Sequence, residues 1–486
     1  MTTSDLPTGT PAGHREIVEH EEPPREPNFL LRRAIVVGLV VALIAALAVG
    51  VGKLLERDHD SDTTGAAPAE WDTVVLIDDR TGQVILTDRS GEEQARFASG
   101  VRSATDALAV GPTLVVSSAE AAAVVDVATE SSQNFDFATT PAGVVMPAGS
   151  AATLLVGSSA GDRAVLVHGP SGDLIDTEAS AAIAGAAYDV ATAVASPSGR
   201  EVLVTDSGNF QSVLFSFDRS EPSYFPGRAL AVDNALVVTT QTVGGESSVS
   251  VFDHDGETVT DARTASVRAG MIAGDHVILV TIDGDLLDLA TSSGETSSIG
   301  TTTIAPIRSA AVSPTGDRLI VVGEGGTAII DGHGDVIAEV FGAVPIETGI
   351  NELATRTAAC VIVLDQVDAG MTVVSLDDGS VVAEADDPNG AAAGDILASA
   401  DGCTAATPAG HGVTMVAADH VGTIEGTTDL RSLAPDAAAI VVATEARLQL
   451  QPVATGDSSD ASEADEPADE PADLGPDSRL VLFTDR

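Results

Sequence analysis

The chain has 486 residues, and 73 acidic against 23 basic side chains give it a formal net charge of −50; such a surface repels nucleic-acid phosphates and leaves nucleic acid out as a partner. Its single lysine, Lys53, stands beside a long apolar segment. Chemistry that needs a lysine inside a folded catalytic domain, as in a P-loop, a Schiff-base enzyme or a kinase, is therefore excluded. Hydrophobic residues make up 44% but aromatic ones only 3%, so the core is built from Val, Leu, Ile and Ala, which suits strands, and sugar binding on aromatic platforms is disfavoured.

Residues 1–31 include the charge-mixed run GHREIVEHEEPPREPNF, which has no apolar periodicity and reads as a disordered tail. Residues 34–52 follow without a charge or a proline. As a helix, that length nearly crosses a bilayer core of about 30 Å, so a transmembrane helix is expected over 32–55. Arg15, Arg25, Arg32 and Arg33 precede it and only Lys53 and Arg57 follow closely. That bias predicts a single-pass anchor with its N-terminus in the cytoplasm and the rest of the chain outside the cell membrane. A cleaved signal peptide fits less well, because the apolar run is long for one. Gly38, Ala42, Ala46 and Gly50 recur every fourth residue, so they share a helix face on which two copies could pair as a homodimer. Residues 56–70 read as a linker.

From Trp71 onward, short apolar runs alternate with Gly, Asp, Ser and Pro, which predicts an all-β domain over 71–453. The runs recur. AVASPSGREVLV from Ala193 and AAVSPTGDRLIV from Ala310 share a small-residue strand, a Ser-Pro-x-Gly turn and a strongly apolar strand. Weaker copies start at Ala107, Ala229, Met271, Ile396 and Ser432, and each leads into a further hairpin such as VSVFDHDGETV from Val249 or AIIDGHGDVIAEV from Ala328. A period of about 40 residues with four strands fits one propeller blade. By its Ser-Pro-x-Gly turns and Asp-x-x-x-Gly hairpins, the chain resembles the WD40-like, YVTN and quinoprotein-like β-propeller superfamily. No Trp-Asp pair closes the repeats and the tryptophans of quinone-binding propellers are absent, so no cofactor is expected.

Counting gives eight units plus a ninth shared between the chain ends. Propellers of this kind more often close with seven or eight blades, which is the number expected here. Cys360 and Cys403 align at equivalent positions of adjacent units, either joined as a disulfide, which an oxidising compartment permits, or left as two buried thiols. Residues 454–478 form an acidic Pro/Ala run that reads as a disordered loop, and 479–486 regain strand character as a candidate closing strand.

Several patterns imitate active sites. Gly157 to Gly161 match G-x-S-x-G around Ser159, but a strand rather than a helix should follow. Gly323, Gly325 and Ala328 match a dinucleotide fingerprint yet lie in a strand and turn. Asp253-His254-Asp255 and the trio Asp331, His333, Asp335 could ligate a metal only by converging on one rim, and solvated turns explain them better. No catalytic, cofactor-binding or metal-ligating residue is therefore assigned. The expected function is a membrane-anchored extracytoplasmic propeller that binds an envelope protein or a ligand without catalysis. The alternatives are a lactonase-like hydrolase with a metal in its central channel, and a signal transducer acting through the tail.

Overall fold

The Ser-Pro-x-Gly turns and glycine hairpins fold as their spacing demands. In this computed structural model the described residues are 71–119, 121–136, 143–147, 153–158, 163–177, 186–243, 246–345, 359–365, 370–385, 396–399, 401–409, 412–417, 421–425, 429–444, 447–453, 471–476 and 480–484. They form ten four-stranded antiparallel sheets and no helix of membrane-crossing length. The proposed helix of residues 34–52, its Gly38, Ala42, Ala46 and Gly50 face, the tail and the linker all lie outside them.

Each sheet is one blade with its strands in chain order from the axis outward. Blades 2 to 10 begin at Asp106, Gly143, Tyr188, Arg228, Val267, Ile307, Ala343, Leu397 and Leu430. Blade 1 draws on both ends of the chain. Thr73–Ile77, Gln83–Asp88 and Glu93–Ala98 are its outer strands, and Leu480–Thr484 is its innermost, pairing Val75 with Leu482 and Ile77 with Leu480. Successive innermost strands touch around much of the ring, and that of blade 10 meets that of blade 1, so the ring closes. Closure removes the free edges that an open array would expose.

The count is ten rather than seven or eight. The added unit is blade 3, Gly143–Pro147, Thr153–Ser158, Ala164–His168 and Asp173–Asp176. Its first two strands are joined through AGSAA, which lacks the Ser-Pro-x-Gly signature. Residues 472–476 also depart from the acidic loop expected over 454–478. Ala472–Pro476 is the outermost strand of blade 10, because Leu474 is buried against that blade and Arg447 pairs with Asp473 at 2.5 Å. The ring thus extends past residue 453 to Thr484.

Position within a blade dictates composition. A second strand is flanked by the neighbouring blades on both faces, so Thr73–Ile77 and Thr113–Ser117 are buried along their whole length and read as unbroken apolar runs. The outermost Ser131–Asp136 is exposed except at Phe135, and it is polar. Apolar clusters lie between blades, as where Leu203 and Phe225 of blade 4 meet Val237 and Phe252 of blade 5. Each such fully buried side chain stabilises the fold by ~1.5–3 kcal/mol.

Candidate functional site

The four innermost strands of blades 4 to 7 enclose a cavity of about 440 Å³. These strands carry small side chains where a blade must crowd its neighbours at the axis. Ala193, Ala231, Ala269 and Ala311 are buried there and form its wall, with Met271 and Val232. One end is narrowed by two first turns that meet across it, since a Cβ added to Gly316 of blade 7 would lie 2.9 Å from Cγ of Pro197 in blade 4.

The other end is cationic. Arg228 opens the innermost strand of blade 5, and Arg268 is the bulged residue of the corresponding strand in blade 6. Arg268 donates from Nε to the carbonyl of Arg308 in blade 7 at 2.8 Å. Among the described residues neither Arg228 nor Arg268 has a carboxylate within ion-pair distance, whereas Arg308 pairs with Glu324 at 3.2 Å. Burial, together with the neighbouring charge of Arg228, lowers Arg268 from its ordinary value. Ile282 lines the same mouth and is 43% exposed, and Phe210, 85% exposed, accepts the amide of Gly227 beside Arg228.

These arginines were not singled out from the sequence. Arg228, Arg268 and Arg308 are spaced forty residues apart, one per repeat, and that regularity was the available signal. It was hidden because the repeat copies at Ala229 and Met271 begin just after the arginines.

The residues that the sequence did single out go elsewhere. Cys360 begins the second strand of blade 8 and Cys403 lies in the first turn of blade 9; their sulfurs are bonded, with Cα atoms 5.0 Å apart. In the Asp253 turn the Oδ1 accepts the amides of Asp255 and Glu257, and in the Asp331 turn it accepts those of His333 and Asp335. Asp88 does the same with Ser90 and Glu92. These carboxylates brace their own hairpins. His254 is buried with Nε2 3.0 Å from the Asp233 carbonyl. Among the described residues no three His, Cys, Asp or Glu converge as a metal site. Ser159 lies outside the described residues, and the strand holding Gly157 runs on into another strand, Ala164–His168. Gly323, Gly325 and Ala328 belong to a hairpin, Arg318–Gly323 with Gly326–Asp331.

A closed ring of four-stranded antiparallel blades defines the class: the protein is a β-propeller. No protein-family model and no curated protein matches it. Among solved structures it is similar to a eukaryotic initiation factor, at 9% identity and a TM-score of 0.48 over 86% of this chain and 99% of that one. It is also similar to BamB from Moraxella catarrhalis, at 13% identity and a TM-score of 0.34 over 66% and 92%. A third is apo AztD from Citrobacter koseri, at 10% identity and a TM-score of 0.37 over 73% and 95%. At such values these likenesses carry nothing about what this chain binds.

Proposed function

We propose that the protein is a non-catalytic binding propeller, tethered to the cell membrane through residues 34–52 with its ring on the extracytoplasmic side, where it holds an envelope protein or a ligand. The observation that carries this reading is the character of the cavity between the innermost strands of blades 4 to 7. Its wall is largely aliphatic, and its charged groups are Arg228 and Arg268 with the single carboxylate Asp233, which suits holding a ligand better than the clustered carboxylates or histidines of metal-assisted hydrolysis. The Cys360–Cys403 bond supports the placement, since disulfides persist in oxidising compartments.

The test is proximity labelling in intact cells, with a peroxidase fused to the C-terminus and a control carrying the same peroxidase on residues 1–70 alone. Enrichment of particular envelope proteins by the full chain is expected. Labelling confined to cytoplasmic proteins, or no enrichment over the control, would overturn the reading.

A further inference from the structure

The composition makes the mouth of this cavity unusual. Acidic residues outnumber basic ones 73 to 23, so a guanidinium on this surface has carboxylates in excess to choose from. Eight described arginines use them, among them Arg96 with Glu93 at 2.6 Å, Arg163 with Asp176 at 2.7 Å, Arg200 with Asp218 at 2.6 Å and Arg308 with Glu324 at 3.2 Å. Arg228 and Arg268, like Arg80, Arg89, Arg102 and Arg263, have no such carboxylate among the described residues, but these two alone line the cavity and lie beside each other on adjacent innermost strands, where two like charges repel. Such a pair is stabilised by an anion that both can reach. Behind them stands an aliphatic bay narrowed at its far end by Pro197 and Gly316, and at the rim stands the exposed Ile282.

We infer that this cavity binds a small soluble amphiphile, its anionic head, a phosphate or carboxylate, held by Arg228 and Arg268 and its aliphatic body lying against Ala231, Ala269, Met271 and Ile282. This rests on the reading that the ring binds rather than catalyses, and it names the ligand's chemistry. About 440 Å³ accommodates a single short chain but not both chains of a membrane phospholipid, so the ligand is a solute. The Arg228 fork supplies orientation through paired N–H donors, and Arg268, whose Nε and Nη2 donate to the Arg308 carbonyl, adds its Nη1. The aliphatic wall adds affinity at about 0.8 kcal/mol for each methylene buried.

The inference is tested by titrating the full-length protein, in nanodiscs of phosphatidylcholine, with octyl phosphate, inorganic phosphate and 1-octanol. Octyl phosphate should bind at one site and more tightly than either of the other two. Arg228→Gln and Arg268→Gln should each weaken it about tenfold or more, and Ile282→Glu, which places a negative charge at an exposed rim position, should do likewise. Arg96→Gln, which removes an arginine paired with Glu93 on the outer strand of blade 1, should leave it unchanged. Unaltered affinity in the two arginine variants overturns the site. Equal affinity for inorganic and octyl phosphate overturns the aliphatic half of the assignment. Displacement of octyl phosphate when phosphatidylglycerol is added to the discs overturns the solute in favour of a lipid. Failure of octyl phosphate to bind at all sinks the inference while leaving the outcome of proximity labelling, and with it the proposed function, untouched.

Discussion

At the first turn of a blade one backbone position takes a positive φ, and the residue placed there sets the strain of that turn. Gly199, Gly316 and Gly402 hold it at +70°, +78° and +74°, and each donates its amide to the serine carbonyl three residues before. In blade 10 the same position is Ala437 at +57°, bonded in the same way to Ala434. An L-residue there costs roughly 1–2 kcal/mol, partly offset by the freedom that glycine adds to the unfolded chain. Ala437→Gly is therefore expected to stabilise the protein by up to about 1 kcal/mol, and Gly199→Ala to destabilise it by about as much, read as opposite shifts of the urea midpoint. A second residue-scale prediction concerns Tyr188, whose phenol is pushed up to about 12 by burial and then by the nearby charge of Asp206. The neutral phenol is favoured in the folded state, so its contribution is fully present below pH 10, the ordinary value, and is lost as pH rises toward about 12. With only two tyrosines in the chain, absorbance at the phenolate band should show delayed ionisation in the native state and prompt ionisation in urea. Tyr188→Phe should flatten the alkaline fall in stability over that interval.

Elements differ in how plainly the sequence announces them. Second strands are legible because burial on both faces writes an unbroken apolar run, as in Glu201–Asp206 and Arg318–Gly323, and the Ser-Pro-x-Gly turn before each fixes its start. Blade 3 escaped because the AGSAA between its first two strands carries no such signature. The strand Ala472–Pro476 escaped because an outermost strand needs only one buried anchor, Leu474, and the acidic run leading into it masks that single residue. The arginine mouth was illegible as a site because a charged residue at the start of an innermost strand reads as solvated until its neighbours on the adjacent blades are known. Blades 8 and 9 show what an element does when its inner strand is weak. Their innermost strands, Ala343–Pro345 and Leu397–Ala398, are the shortest described, and the Cys360–Cys403 bond joins these two blades. The bond closes a loop with a sequence separation of 43 residues, and chain-entropy arguments put its stabilisation at about 4 kcal/mol before any offset from unfolded-state structure. Replacing both cysteines by serine is expected to lower stability by about 2–4 kcal/mol. Hydrogen exchange should then rise first over Cys360–Asp365 and Ala405–Ala409, while blades 4 to 7 keep their protection.

The ring as a whole is held shut at one seam, where the two ends of the chain share blade 1. Trp71, the only tryptophan, sits on that seam at 3% exposure. Its indole meets Phe483 of the closing strand edge-on at 4.8 Å, its Nε1 donates to Asp436 of blade 10 at 3.0 Å, and the Arg89 guanidinium lies 4.5 Å above its ring. One side chain therefore touches the first blade, the last blade and the C-terminal strand, so its emission reports closure and little else. If the closing strand is lost, Thr73–Ile77 becomes a bare inner edge, and the interface formed by Trp71, Leu76, Val441 and Phe483 opens to water. Phe483→Ala leaves the backbone pairing in place but removes the ring against which the indole packs; such truncations cost about 3–5 kcal/mol in a core. The variant should show a red-shifted tryptophan emission and a lower urea midpoint, while a chain ending at residue 479 should show the full shift and self-associate through its open edge. A closed ring predicts that both changes disturb blade 10 and blade 2 alike, because each borders the shared blade. Hydrogen-exchange changes confined to blade 1 would mean that the seam is a local contact and that the remaining nine blades hold their curvature without it.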